Sequence, residues 1–127
     1  MLSRLAALAC VAGVALATPA TFNPYDFGAK GDGQHKDTAA LQDAIDACSK
    51  AGGGTVLLTP GRYLTGAIEL RSRITFELGA GAVLLGSEDP ADYPLRDDPW
   101  GGARKSISSL IYAADAEDVT LTGAGTI

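Results

Sequence analysis

Few side chains in this 127-residue chain stand where they could make or break a covalent bond. Asp97-Asp98 is a carboxylate pair, the residue type that general acid/base chemistry needs. It lies between Arg96 and Pro99 in an irregular stretch, so it reads as a solvated loop. Glu69 and Glu77 alternate with Ile68, Leu70, Phe76 and Leu78. Strand periodicity therefore turns both outward, toward Arg71 and Arg73, as a solvated face. His35, the single histidine, falls in a polar turn and is expected in solvent. A catalytic thiol needs a nearby base, and nothing marks one for Cys48. Cys48 reads as a small buried hydrophobe or as half of a disulfide whose partner is not in this chain. Gly28-Ala29-Lys30-Gly31-Asp32-Gly33 is not a phosphate loop, because Gln34-His35 stands where Lys-Ser/Thr is required. Gly79-Ala80-Gly81 lacks the third glycine of a dinucleotide site and opens no helix. No Cys/His cluster has zinc spacing, and no Asp-x-Asp-x-Asp-Gly loop suggests calcium. The sequence thus implies no catalytic residue, no metal and no cofactor within the chain.

Binding is another matter. Residues 86–108 hold Tyr93, Arg96, Trp100, Arg104 and Lys105. Aromatic faces stack on sugar rings, and Arg or Lys pairs with carboxylates. Tyr93, Trp100 and Arg104 are the expected substrate contacts. The alternative is a packing loop with Trp100 against the fold. A loop of this length is commonly functional or disordered.

These residues need a scaffold, and composition bounds it. Hydrophobic residues at 46% and charged residues at 20% fit one small globular domain. A net charge of −5 argues against a nucleic-acid partner or an anionic membrane surface. Sixteen glycines without a G-X-Y period exclude collagen and punctuate short apolar runs instead. Residues 1–17 read as a secretory signal. Arg4 is the charged start, residues 5–16 the apolar run, and Ala15-Leu16-Ala17 the cleavage site. Its removal takes away Cys10 and leaves Cys48 as the one thiol. The mature chain, 18–127, is expected outside the cell or in a periplasm.

Residues 22–54 hold an aromatic entry segment, a glycine-rich turn and one helix. Asp37 or Thr38 is the N-cap, Leu41, Ile45 and Cys48 form the apolar face, and Gly52-Gly53-Gly54 ends the helix. From Gly54 the period becomes strand-like. Residues 55–85 read as short strands, 86–108 as a long loop and 109–127 as further strands. Ile74-Thr75-Phe76-Glu77-Leu78-Gly79-Ala80-Gly81-Ala82-Val83 is similar to Val119-Thr120-Leu121-Thr122-Gly123-Ala124-Gly125-Thr126-Ile127, with one residue deleted at the turn. Strand, glycine turn and strand, with no helix between, is the pattern of a β-solenoid. An antiparallel sandwich is the alternative, but no Asn-Gly or Asp-Gly separates two strands here. A solenoid end exposes unpaired backbone, and an amphipathic helix before the first turn would cap it.

Tyr25-Asp26-Phe27-Gly28-Ala29-Lys30-Gly31-Asp32-Gly33, Asp37-Thr38, Leu41 through Cys48 and Gly52-Gly53-Gly54-Thr55-Val56 resemble the opening of pectin-active proteins with a right-handed parallel β-helix. Leu78 through Ser87, Asp92-Tyr93-Pro94, Leu110-Ile111-Tyr112-Ala113 and Val119 through Ile127 resemble glycoside hydrolase family 28, the polygalacturonases. The resemblance implies a mainly β chain: a cap helix plus the first rungs of that helix. It implies a pectic polysaccharide as partner, a monomer when full length, and inverting hydrolysis of α-1,4-galacturonosyl bonds by two separated carboxyl groups. The family's Asn-Thr-Asp, Asp-Asp, Gly-His-Gly and Arg-x-Lys motifs do not occur in these 127 residues. The expectation is therefore a truncated, inactive beginning of a larger enzyme. A non-catalytic pectin-binding module and the start of a polysaccharide lyase or phage-type depolymerase are the alternatives.

Overall fold

The computed structural model describes residues 20–97 and 105–127. Along the chain run β1 (Ala20–Phe22), β2 (Asp32–Lys36), helix α1 (Thr38–Lys50), β3 (Gly54–Leu58), β4 (Gly61–Thr65), β5 (Ile68–Leu70), β6 (Ile74–Leu78) and β7 (Ala82–Gly86). Then follow β8 (Leu95–Asp97), β9 (Lys105–Ile107), β10 (Ile111–Ala113) and β11 (Thr120–Gly123). Most strands pair with the strand one turn later, not with their sequence neighbour. One parallel sheet has the order β1-β3-β6-β11, a second β2-β4-β7, and a third joins β5 to β10. Only β8 and β9 pair antiparallel among the described residues. The result is a parallel β-coil, as the helix-free repeat predicts, and not a sandwich.

The period-2 pattern explains the core. Val56, Leu58, Ile68, Leu70, Ile74, Phe76, Leu78 and Leu84 all point inward and are buried. Parallel pairing without slip stacks them in ladders: Phe22 on Val56, Val56 on Phe76, Phe76 on Leu121. Each such side chain contributes roughly 1.5–3 kcal/mol when fully buried, so a one-residue slip would be costly. The internal repeat aligns Thr75 with Thr120 and Phe76 with Leu121, and the two strands pair in that register. The turn after the repeated strand differs from expectation. Leu78 pairs with Gly123 and Val83 bridges to Thr126, so the later turn is two residues shorter, not one.

Helix α1 takes the place of a third-sheet strand before the first full turn. Leu41, Ile45 and Cys48 are fully buried beneath it, as their spacing predicts. Its polar face also has a task. The Gln42 side-chain amide donates to the Glu69 carbonyl at 3.0 Å and accepts from the Glu69 N–H at 2.9 Å. Thr38 Oγ1 accepts from the Gly66 N–H at 2.8 Å. Side chains thus satisfy an edge that a strand would otherwise pair. Asp37 holds the N-cap position, but its side chain makes no bond to the helix. Its carboxylate instead accepts from the Lys30 and Gly31 N–H groups. The glycine-rich segment also differs from a plain turn, because residues 32–36 form β2, an exposed strand paired with β4.

Candidate functional site

The coil swells at one corner. In the first turn only Gly66 and Ala67 link β4 to β5; in the second, residues 87–110 link β7 to β10. This insertion supplies most of the increase in spacing between stacked partners, from 20 residues (Gly54 to Ile74) to 45 (Thr75 to Thr120).

The root of the insertion is pinned to the first turn. The Ser87 N–H donates to the Thr65 carbonyl at 2.8 Å, and the Ala67 N–H to the Asp92 carbonyl at 3.0 Å. The Lys36 ammonium lies 2.8 Å from Asp92 and 3.4 Å from Asp89. Hydrogen bonds from Lys36 and from the Ser87 hydroxyl hold the Asp92 carboxyl below its usual range, and the same pairing raises Lys36. Tyr93 belongs to this root. It is half-buried, and its hydroxyl donates to the Ser87 carbonyl at 2.7 Å. The other two expected contacts, Trp100 and Arg104, lie outside the described residues.

Beyond the root, β8 and β9 form a hairpin in which Leu95 faces Ile107, Arg96 faces Ser106 and Asp97 faces Lys105. Leu95 and Ile107 are each 64% exposed. The Arg96 guanidinium carbon sits 3.9 Å from the centroid of the Tyr112 ring on β10. A cation over an aromatic face is attracted by the ring quadrupole. Tyr112 reaches back toward Glu69, its hydroxyl 3.5 Å from a carboxylate oxygen. Glu69 in turn is held by Arg71 at 3.1 Å. Hairpin and coil enclose an open cleft of about 480 Å³, whose lining includes Arg96, Asp97, Ser106, Ser109, Tyr112 and Asp115. The sequence places Arg96 in the loop and Tyr112 in a strand, but nothing in their spacing announces that they stack.

The remaining polar candidates are accounted for by local partners. Asp97 pairs with Lys105 at 2.7 Å, which lowers its pKa; Asp98 lies outside the described residues. His35 Nδ1 lies 2.6 Å from Asp32, and both side chains are solvent-accessible. Backbone N–H groups of His35 and Gln34, then the ring itself, hold Asp32 well below the carboxylate range. Cys48 is a free, fully buried thiol whose pKa burial pushes up. The Tyr25 hydroxyl donates to the Pro60 carbonyl at 3.3 Å and covers Gly31 and Gly61, where a Cβ would collide with it. Those glycines serve the entry fold, not a phosphate. Together these features place a cation over an aromatic ring beside an open cleft, with no assembled acid/base pair among the described residues.

Residues 21–85 match the family model described as rhamnogalacturonase A/epimerase, pectate lyase-like. The chain belongs to this family. The pectate lyase-like coil is borne out in solved relatives. The Yersinia enterocolitica family 28 exopolygalacturonase is 40% identical, with a TM-score of 0.75, over 84% of this chain and 20% of that one. The family 28 resemblance is borne out too, and with it the right-handed β-helix. A Vitis vinifera protein named "Probable polygalacturonase" is 42% identical over 107 residues, covering 77% of this chain and 22% of that protein. A mannuronan C5-epimerase of Azotobacter vinelandii is 62% identical over 102 residues, covering 80% of this chain and 10% of that enzyme. The chain thus spans about a fifth of the polygalacturonase relatives and a tenth of the epimerase.

Proposed function

We propose that this pectate lyase-like chain supplies the cap and opening turns of a secreted pectin-degrading glycoside hydrolase. In that enzyme the reaction is inverting hydrolysis of α-1,4-galacturonosyl bonds, and the corner insertion flanks the polysaccharide. The observation that carries this reading is the family match over residues 21–85 on a parallel coil. Secretion follows from residues 1–17, whose charge, apolar run and Ala-x-Ala ending fit a leader cleaved after Ala17. The four polygalacturonase motifs do not occur in the 127 residues, so the chain by itself cleaves nothing. Tyr93, Trp100 and Arg104 remain proposed substrate contacts on the insertion. Full-length, the enzyme works as a monomer without a cofactor.

A second reading is favoured by the 62% identity to the epimerase: a lyase-type or epimerase-type enzyme acting on a polyuronate. One assay on polygalacturonate separates the two, using the complete reading frame that contains this chain. New reducing ends without unsaturated products support the hydrolase. Unsaturated, ultraviolet-absorbing products select the lyase, and an uncut polyuronate with altered sugar configuration by NMR selects the epimerase. Measurable cleavage by the pure 127-residue chain would overturn the claim that it is inactive alone.

A further inference from the structure

Arg96 is spent neither on the core nor on the root of the insertion. It makes no ion pair among the described residues, whereas the neighbouring Asp97 is engaged by Lys105. The Tyr112 ring lies beneath the Arg96 guanidinium carbon, its centroid 3.9 Å away. A guanidinium held over an aromatic face keeps its N–H groups, which lie around its rim, able to meet two carboxylate oxygens at once. Ser106, the cross-strand neighbour of Arg96, lines the same cleft, as does Ser109, whose hydroxyl donates to the Ile111 carbonyl at 2.9 Å. Its volume falls within the roughly 300–1,000 Å³ of small-ligand sites. One lining carboxylate, Asp115, is left without a cationic partner among the described residues and opposes an anion there.

We propose that this cleft binds a carboxylate-bearing sugar unit and that Arg96, braced by Tyr112, reads the carboxylate. This deepens the pectic reading and rests on it. The chemistry makes the cleft selective for the free acid. A methyl ester has nearly the same shape but no charge, and it cannot accept two charge-assisted bonds.

Calorimetric titration of the 127-residue chain with oligogalacturonate and with its methyl ester tests this. The acid should bind at least about tenfold more tightly, with the advantage shrinking at high salt. Arg96→Gln should remove most of that advantage, and Arg96→Lys should restore part of it. Asp115→Asn should strengthen acid binding by a few fold, an effect that lost folding would not produce. Equal binding of acid and ester by the unmodified chain needs no variant to interpret. It would overturn the role of Arg96 and leave the pectic reading standing. A well-folded Arg96→Gln that keeps its preference for the acid would do the same. Binding of neither oligomer by a chain that unfolds cooperatively in urea would overturn the role of Arg96, and the polygalacturonate assay on the complete enzyme decides the pectic reading separately.

Discussion

Gln42 bonds through both ends of its side-chain amide to the backbone of one residue, Glu69, at 3.0 and 2.9 Å. A helix cannot extend a β-sheet, because its own backbone groups are already paired internally. Here a side chain copies the donor–acceptor pair that a neighbouring strand would present. Gln42→Ala should therefore leave a donor and an acceptor of β5 without protein partners. The expected loss is about 1–3 kcal/mol in urea unfolding. Gln42→Glu should cost a similar amount, because it keeps the acceptor and loses the donor. Stability unchanged in both variants would show that water satisfies this edge equally well.

Gly31 has φ 62° and lies under the Tyr25 hydroxyl. Gly31→Ala should destabilise the fold by about 1–3 kcal/mol through backbone strain and collision. In a Tyr25→Ala background the penalty should fall, because the collision is gone and only the strain remains. Thermal melts of the four proteins in this cycle measure the coupling. Strict additivity would argue against the contact.

The Lys36–Asp92 pair gives the insertion a pH dependence. Asp92 has a depressed folded pKa. Its stabilisation is present above the unfolded value of 3.8 and is lost as pH falls through the folded value. Lys36 has a raised folded pKa. Its stabilisation is present below 10.5 and is lost as pH rises through the folded value. Asp92→Asn should lower the melting temperature near neutral pH. The gap to the parent should close below 3.8 and again in strong base. A gap independent of pH would mean that the pair contributes through packing alone.

Cys48 is fully buried under α1, and burial disfavours its thiolate. Alkylation at Cys48, followed by peptide mass spectrometry, should be slow in the native chain and should accelerate with urea in step with unfolding. Rapid native labelling would show that α1 lifts off the coil.

Much of this fold is legible along the chain. The alternation Ile74, Phe76, Leu78 states which side chains face inward, and the same alternation in Glu69 and Glu77 states which do not. The repeat states the stacking register as far as Gly123, because ladders of like side chains form only when equivalent residues stack. The apolar spacing of α1 states which face meets the core. The binding corner is less legible. Tyr93 is an aromatic residue in a long loop, and sequence cannot say whether such a ring faces a ligand or braces its own loop. The hydrogen bond from Tyr93 to Ser87 is a through-space fact.

By itself the sequence determined the coil, its ladders and its cap helix, because these follow from periodicity and from local backbone demands. The tertiary structure decided which polar groups meet. Gln42 and Glu69 are 27 residues apart. Arg96 reaches Tyr112 only because a hairpin folds back over β10. Partners of that kind depend on where the coil carries each strand after a full turn. Here that distance changes from 20 residues to 45, mostly through the insertion, and no local pattern encodes such a jump.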